Sequence, residues 1–187
     1  MWRLLLLFSI LPIGAALLLR WWFGLRVLES LGGRPCRCDP ARWDQALGSG
    51  QPAMCAAAAP VGELGERLRL AALAQWQQRE PKRAAARESS RRFGLAVPPL
   101  SAIVAVFAAI LAKIPVTGAL VIFIAATALA TVFGLLSLGA ELRAIALAAR
   151  NLRAARAFVR SEEEDAVIEA AIARAWCETV PPVLRLL

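Results

Sequence analysis

Hydrophobic residues are concentrated in three runs, which cover residues 4–19, 93–112 and 118–140. The second and third runs match the length of about 20 residues that a helix needs to cross the hydrocarbon core of a bilayer. The first run is shorter, but Arg20 follows it, and a long basic side chain can extend from a helix end to the membrane surface. The pattern predicts an all-α integral membrane protein with three spans.

Aromatic residues flank the first run. Trp2 precedes it, and Arg20, Trp21 and Trp22 follow it. Tryptophan and arginine both favour the depth of the lipid headgroups, so we predict that these four residues lie at the membrane interface. More positive charge follows the run than precedes it, and no small-x-small cleavage motif lies before Arg20, so we expect an uncleaved anchor rather than a signal peptide.

Basic residues flank the three runs in an asymmetric way. They follow the first run, precede the second and follow the third, whereas the short connection between the second and third runs carries only Lys113. The positive-inside rule then places residues 26–92 and the tail, 141–187, in the cytoplasm, with the N-terminus and the short connection outside. Arg3 is the one flanking charge that departs from this pattern. The predicted location is the inner (cytoplasmic) membrane.

The short connection also predicts that the second and third spans form an antiparallel helical hairpin. Small residues recur at every fourth position in both spans and would allow close approach of the two backbones. The predicted packing residues are Ser101, Ala105, Ala109, Ala126, Ala130 and Gly134. The alternative is that this stripe only reflects the abundance of alanine. Two prolines, Pro98 and Pro99, are expected to mark the start of the second span or a kink in it.

The segment before the hairpin is basic. Residues 20–92 contain thirteen basic and seven acidic side chains. We predict a helix through Gln78, a break at Pro81 and a second basic helix that leads into the span, whereas residues 31–60 have no clear period and are expected to be a loop. A basic segment beside apolar spans favours anionic lipid headgroups or an acidic protein over nucleic acid as its partner.

The tail is predicted to contain two amphipathic helices. In residues 141–160 the arginines fall on one arc of a helical projection. The sequence "SEEE" then places Ser161 as a helix cap, with Glu164 three residues later, which is the capping-box pattern. Two prolines at 181–182 end the second helix.

The cysteines are the candidates for a metal or redox site. The stretch "RPCRCDP" contains Cys36 and Cys38, and Cys55 follows in the same segment. Together with Cys177 these thiolates would suit zinc or an iron–sulfur cluster, and the neighbouring arginines would favour the thiolate form. A single C-x-C lacks the paired knuckles typical of structural zinc sites, and cysteine also serves as a small buried apolar residue. We therefore predict no cofactor and keep the cysteine site as an alternative.

Several classes of enzyme are excluded by residue type. The chain contains no histidine, so HExxH metal sites and histidine-dependent nucleophile triads are impossible. There is no glycine-rich phosphate loop, and the two longer apolar runs contain no ionisable residue that would relay protons or ions. The long segment outside the runs argues against a simple pore-forming protein.

The C-terminal half resembles the membrane tail of the neutral zinc metallopeptidase family of bacterial membranes. The resemblance rests on the hairpin followed by "SLGAELRAIALAARNL" (137–152), "SEEE" and "AVIEAAIARAW" (166–176). The HExxH motif of that family has no counterpart here, so no metal ligand is carried over to any position. The resemblance implies a non-catalytic relative or companion of those enzymes.

The sequence therefore predicts an N-terminal anchor (1–25), a basic cytoplasmic helical segment (26–92), a transmembrane hairpin (93–140) and a cytoplasmic amphipathic helical tail (141–187). The predicted function is non-enzymatic, as an accessory subunit or scaffold. Its expected partners are a bilayer with anionic headgroups and a membrane protein or a second copy of this chain. The alternative is a membrane-tethered, cysteine-based metal-binding or redox module.

Overall fold

A computed structural model describes residues 2–48, 58–111 and 114–186 of the chain. The described part is predominantly helical, which confirms the predicted all-α class. Its helices are α1 (Trp2–Leu19), a π-helical segment (Arg20–Leu25), α2 (Arg26–Leu31), α3 (Pro40–Leu47), α4 (Val61–Arg79), α5 (Pro81–Ile110), α6 (Val116–Ala155), α7 (Ser161–Thr179) and a 3₁₀ turn (Pro182–Leu186). Two short strands, β1 (Pro35–Cys36) and β2 (Ala59–Pro60), pair antiparallel, with Cys36 opposite Ala59.

Three helical stretches are long and apolar enough to cross a membrane, in agreement with the three predicted runs. They are Leu6–Leu31, Pro81–Ile110 and Val116–Ala155. Only 6%, 17% and 28% of their most apolar windows are buried within the chain. Most of this apolar surface therefore faces outwards and needs an apolar environment.

The first helical stretch extends further than the predicted anchor. Helical backbone continues past residue 25 and ends at Leu31, after the π-helical segment. Gly24 in that segment is buried, and a Cβ atom added there would lie 2.6 Å from the Cys177 sulfur. The absence of a side chain at Gly24 thus allows the segment to contact α7 closely.

The prediction of a loop over residues 31–60 is wrong in part, because α3 forms within it. Asp39 caps this helix, since its Oδ1 accepts a hydrogen bond from the Ala41 amide at 3.0 Å. Pro40 occupies the first turn and Gly48 ends the helix with a φ of +64°. The eight-residue helix is too short to show a hydrophobic period, so only its capping residues reveal it in the sequence.

The described chain divides into two compact units. The first unit comprises Met1–Leu19, Ala85–Ser137 and Glu178–Leu187, and the second comprises Arg20–Ala84 and Leu138–Cys177. A small cluster in the first unit joins α1, α6 and the C-terminal segment, with Ala16, Val180 and Leu184 buried at its centre and Ile13, Leu17 and Leu135 packed around them.

The hairpin forms within the first unit. Phe93 in α5 packs edge-to-face on Phe133 in α6, with ring centroids 5.4 Å apart. Both residues lie far from the connection between the helices, as an antiparallel arrangement requires. The two prolines do not start the second span helix, because α5 begins at Pro81 and continues through Pro98 and Pro99. Apolar helices tolerate such prolines when neighbouring groups satisfy the backbone atoms that they leave free.

The second unit has one core, built from α3, α4, the end of α6 and α7. Its most deeply buried apolar residues include Leu64, Leu68, Ile145, Leu152, Val167, Ala170 and Ala171. Gly65 of α4 lies directly against α7, since an added Cβ would stand 2.7 Å from the Ala170 Cβ and 2.9 Å from its carbonyl carbon. The backbones of α4 and α7 are therefore in close contact at this glycine.

The two predicted tail helices are present, but the first is a continuation of the third apolar helix. α6 extends unbroken to Ala155, and Arg156 then adopts a left-handed φ of 51° before α7 begins at Ser161. The predicted capping box does not form, because the Glu164 carboxylate accepts a hydrogen bond from Arg153 Nε at 3.1 Å instead. Burial of this acid beside a guanidinium takes precedence over local capping.

We expect Gly65→Ala to destabilise the second unit by about 1–3 kcal/mol, because the added methyl group meets the α7 backbone and forces the helices apart. Gly139→Ala in α6 is the matched control. An added Cβ at Gly139 meets nothing within 4 Å, so the higher helix propensity of alanine should raise stability by about 0.5–1 kcal/mol. Thermal unfolding in detergent, followed by circular dichroism, measures both. Equal effects of the two substitutions would show that the α4–α7 contact is not close.

Candidate functional site

A charged pair lies in the core of the second unit. Arg69 of α4 and Glu141 of α6 are only 1% and 4% exposed, and Arg69 Nε donates to Glu141 Oε1 at 2.6 Å. Arg69 also donates from Nη1 to Glu66 Oε1 at 3.2 Å. Moving a guanidinium and a carboxylate out of water costs several kcal/mol per ion, and direct hydrogen bonding offsets that cost only when the geometry is good. The two residues therefore depend on each other.

Local sequence explains how these residues reach the core. The buried face of α4 carries Val61, Leu64, Leu68 and Ala72 at helical spacing, and Arg69 lies on the same face. Glu141 is the first residue after the third apolar run and lies one turn before the buried Ile145.

Sequence reasoning did not identify Arg69. Its only signal was a basic residue within the apolar face of a predicted helix, four residues after Gly65 and three before Ala72. Such a residue requires a buried acid, and the sequence alone does not show which acid it is.

The pair extends into a larger network at the surface of the unit. Glu66 is 32% exposed, and its second carboxylate oxygen lies 3.8 Å from Arg174 Nε on α7. Glu141, Arg69, Glu66 and Arg174 thus alternate in charge across α6, α4 and α7. The contacts of the network join α4, α6 and α7 through side chains of opposite charge. The network therefore stabilises the packing of these three helices.

A second charged cluster joins the end of α6 to the start of α7. Arg153 Nε lies 3.1 Å from Glu164 Oε1, and its Nη2 lies 2.5 Å from Asp165 Oδ1. Burial raises the pKa of Glu164, and the adjacent Arg153 guanidinium opposes this rise. These two contacts connect the end of α6 to the start of α7 across the turn between them.

The cysteines are separated between different structural environments. Cys36 in β1 is 1% exposed, Cys38 is 7% exposed, and both belong to the core of the second unit. The Cys36 sulfur lies 3.9 Å from Glu163 Oε2, whereas Cys177 lies on α7 against Gly24. Within residues 2–48, 58–111 and 114–186, no group of three or more histidine, cysteine or acidic residues is placed to hold a metal. Cys55 lies outside the described residues, so the three-cysteine site stays a prediction.

The predicted interface residues lie where α1 passes into the π-helical segment. Trp21 and Trp22 are half exposed, and Arg20 is partly buried. The Arg26 guanidinium lies 4.8 Å from the centre of the Trp22 ring, in a cation–π contact. The position of the Trp2 side chain lies outside the described part of the chain. Exposed indole rings beside basic groups suit a headgroup region, and the interface role of these residues stays a prediction.

The predicted hairpin residues differ in their burial. Ala105 and Ala130 are buried, whereas Ser101, Ala109 and Ala126 are half-buried. Gly134 lies against the C-terminal end of α7, because a Cβ added there would stand 2.4 Å from the Thr179 carbonyl oxygen. The close contact at Gly134 is therefore with residue 179, and the register of the small residues across the hairpin stays a prediction.

Two buried hydroxyl groups in α6 bond within their own helix. Thr127 Oγ1 donates to the Phe123 carbonyl oxygen at 2.9 Å, and Thr131 Oγ1 donates to the Thr127 carbonyl oxygen at 2.8 Å. Both side chains are buried, and these bonds satisfy their polar atoms.

No family model, curated protein or solved structure matches this chain. The resemblance of the C-terminal half to the metallopeptidase tail therefore rests on the sequence motifs alone.

We expect Arg69→Met to lower the free energy of unfolding by about 3–5 kcal/mol, because it leaves the Glu141 carboxylate buried without its guanidinium. The double substitution Arg69→Met/Glu141→Met should restore most of that loss, since it removes both charges and keeps the interior filled. Denaturant unfolding in detergent, followed by circular dichroism and tryptophan fluorescence, measures each variant.

Arg67→Met provides the control on the same helix. Arg67 pairs with Glu63 at the surface, so its loss should cost less than about 1 kcal/mol. If Arg69→Met costs no more than Arg67→Met, the buried pair does not hold the second unit together.

Proposed function

We propose that this chain is a non-enzymatic multi-pass protein of the cytoplasmic membrane that acts as an accessory subunit or scaffold. In this proposal the three apolar helices span the bilayer, and the second unit lies on the cytoplasmic side. There it contacts anionic headgroups and a membrane protein or a second copy of the chain.

The observation that carries the proposal is the outward-facing apolar surface of the long helices. In α5, Leu100, Ile103, Phe107 and Ile110 are 54–73% exposed, and the windows with the highest hydropathy are mostly unburied in all three helices. An outward-facing surface of this composition on three long helices is characteristic of contact with lipid or with other membrane helices.

The second unit supports a scaffold role, because it has a core of its own. Its helices are fixed by the Arg69–Glu141 pair and by the Arg153 contacts with Glu164 and Asp165. Its buried charged side chains, Arg69, Glu141 and Glu164, all take part in these contacts between helices. A compact unit with more basic than acidic side chains is suited to docking by charge and shape.

The lack of histidine in the whole chain supports a non-enzymatic role, and it fits the implied non-catalytic relationship to the metallopeptidase family. That relationship is part of the proposal only through the resemblance of residues 137–176. The cysteine module is not favoured, because the two cysteines of the C-x-C stretch are core residues with little exposure.

Orientation is tested by labelling of single cysteines. In a variant whose native cysteines are replaced by alanine, we expect Thr117→Cys to react with a membrane-impermeant maleimide on intact spheroplasts. Gln78→Cys, at the exposed end of α4, should react only after detergent is added. The opposite pattern would invert the proposed topology, and labelling of both residues without detergent would contradict insertion.

The scaffold role is tested by stoichiometry at native expression. We expect the tagged chain, extracted in mild detergent, to carry one membrane protein or a second copy at a fixed molar ratio in native mass spectrometry. The ratio should persist in a second detergent, and an unrelated three-span protein with the same tag should lack it. A monomer with no partner at constant ratio would contradict the proposal.

A further inference from the structure

A groove runs along the second unit between α4 and α6. Its volume is about 130 Å³, well above the roughly 10–15 Å³ that a cavity needs to hold one water molecule. The lining residues on α6 lie at positions 140, 143, 144 and 147, and those on α4 at 72, 75, 76 and 79. Each set has the spacing of a single helical face, so the groove is the open seam between two packed helices.

Three guanidinium groups line this groove, from Arg79, Arg83 and Arg143. The one carboxylate there, Glu80, already accepts a hydrogen bond from Arg83 Nη1 at 2.9 Å. Within the described part of the chain, Arg79 and Arg143 have no acidic group within 4.0 Å. The groove therefore has a surplus of positive charge and two guanidinium groups whose donors are available.

The remaining lining is apolar and aromatic. Ala140, Ala144 and Leu147 line the α6 side, and the partly buried Trp76 lies on the α4 side. Ala140 is the last residue of the third apolar run, so along α6 the cationic position 143 follows the predicted span by less than one turn. Arginine and tryptophan next to the end of a span are suited to the headgroup region.

We infer that this groove binds the phosphate group of an anionic phospholipid headgroup from the cytoplasmic leaflet. Arg79 and Arg143 would donate to the phosphate oxygens, and arginine matches phosphate geometry through paired N–H groups. Trp76 and the alanine-lined wall would contact the glycerol backbone of the lipid. This inference rests on the proposed insertion in the membrane and adds a specific lipid site to it.

The test uses the full chain in detergent with short-chain lipids as probes. Titration with dihexanoyl phosphatidylglycerol, followed by the intrinsic fluorescence of the chain's six tryptophans and by native mass spectrometry, should show saturation at one lipid per chain. We expect Arg79→Gln/Arg143→Gln to weaken binding at least about ten-fold, because hydrogen bonds to charged groups are lost at two positions. Both residues are exposed, so the variant is expected to fold, and circular dichroism checks this.

The control variant is Arg37→Gln/Arg150→Gln, which removes the same amount of charge from exposed positions outside the groove. Unchanged binding in this control supports the site. Equal weakening in both double variants would overturn it, because only diffuse attraction would then remain. Binding that is the same for dihexanoyl phosphatidylcholine and phosphatidylglycerol would also overturn the assignment to an anionic lipid.

Two further arms identify the source of the phosphate and separate the inference from the proposed function. If inorganic phosphate or glycerol phosphate binds at these arginines as tightly as the lipid does, the lipid assignment is overturned in favour of a soluble anion. Flotation of the chain with phosphatidylcholine vesicles reports insertion independently of the groove. Failure of flotation contradicts the proposed function, whereas normal flotation with no effect of the groove substitutions contradicts only the lipid site.

Discussion

Arg69 and Glu141 meet in an interior that otherwise consists mainly of leucine, isoleucine, valine and alanine. Because arginine cannot lose its charge, α4 can bury this face only where an acid on another helix meets it. Only one rotation and one register of α4 against α6 bring these two residues together. We interpret the pair as the contact that fixes this register, since buried ion pairs are better known for specifying an arrangement than for adding net stability.

The small residues around the pair make such a contact possible. α7 buries Ala170, Ala171 and Ala173 completely, and Gly65 lets α4 approach the α7 backbone. Larger side chains would hold the helices apart and admit water to the charges, which would weaken the attraction between them. The many alanines of the sequence therefore allow the helices of the second unit to pack closely around the ion pair.

The sequence predicted the features that depend on long stretches. The apolar runs and the basic segment with a break at Pro81 each involve many residues of one character, and the structure has helices in those places, with α4 ending at Arg79 and α5 beginning at Pro81. The short helix α3 was missed although its Asp39 cap is local, because eight residues show no hydrophobic period. Features that depend on residues distant in sequence were also missed. The Arg153–Glu164 contact that replaces a capping box and the partner of Arg69 each depend on neighbours that the linear pattern does not identify.

Glu141 and Arg143 show how one short stretch of α6 serves two different surfaces. The residues are two positions apart, so on a helix their side chains point roughly 200° away from each other. Glu141 faces the interior and neutralises Arg69, whereas Arg143 lines the groove beside Arg79. On α4, Arg69 and Arg79 are divided in the same way between the core and the groove. The Arg69–Glu141 pair, which fixes α4 against α6, thus also fixes the spacing of Arg79 and Arg143 in the groove. Binding of an anion in the groove would therefore depend on the buried pair, although the charges of that pair would not contact the anion.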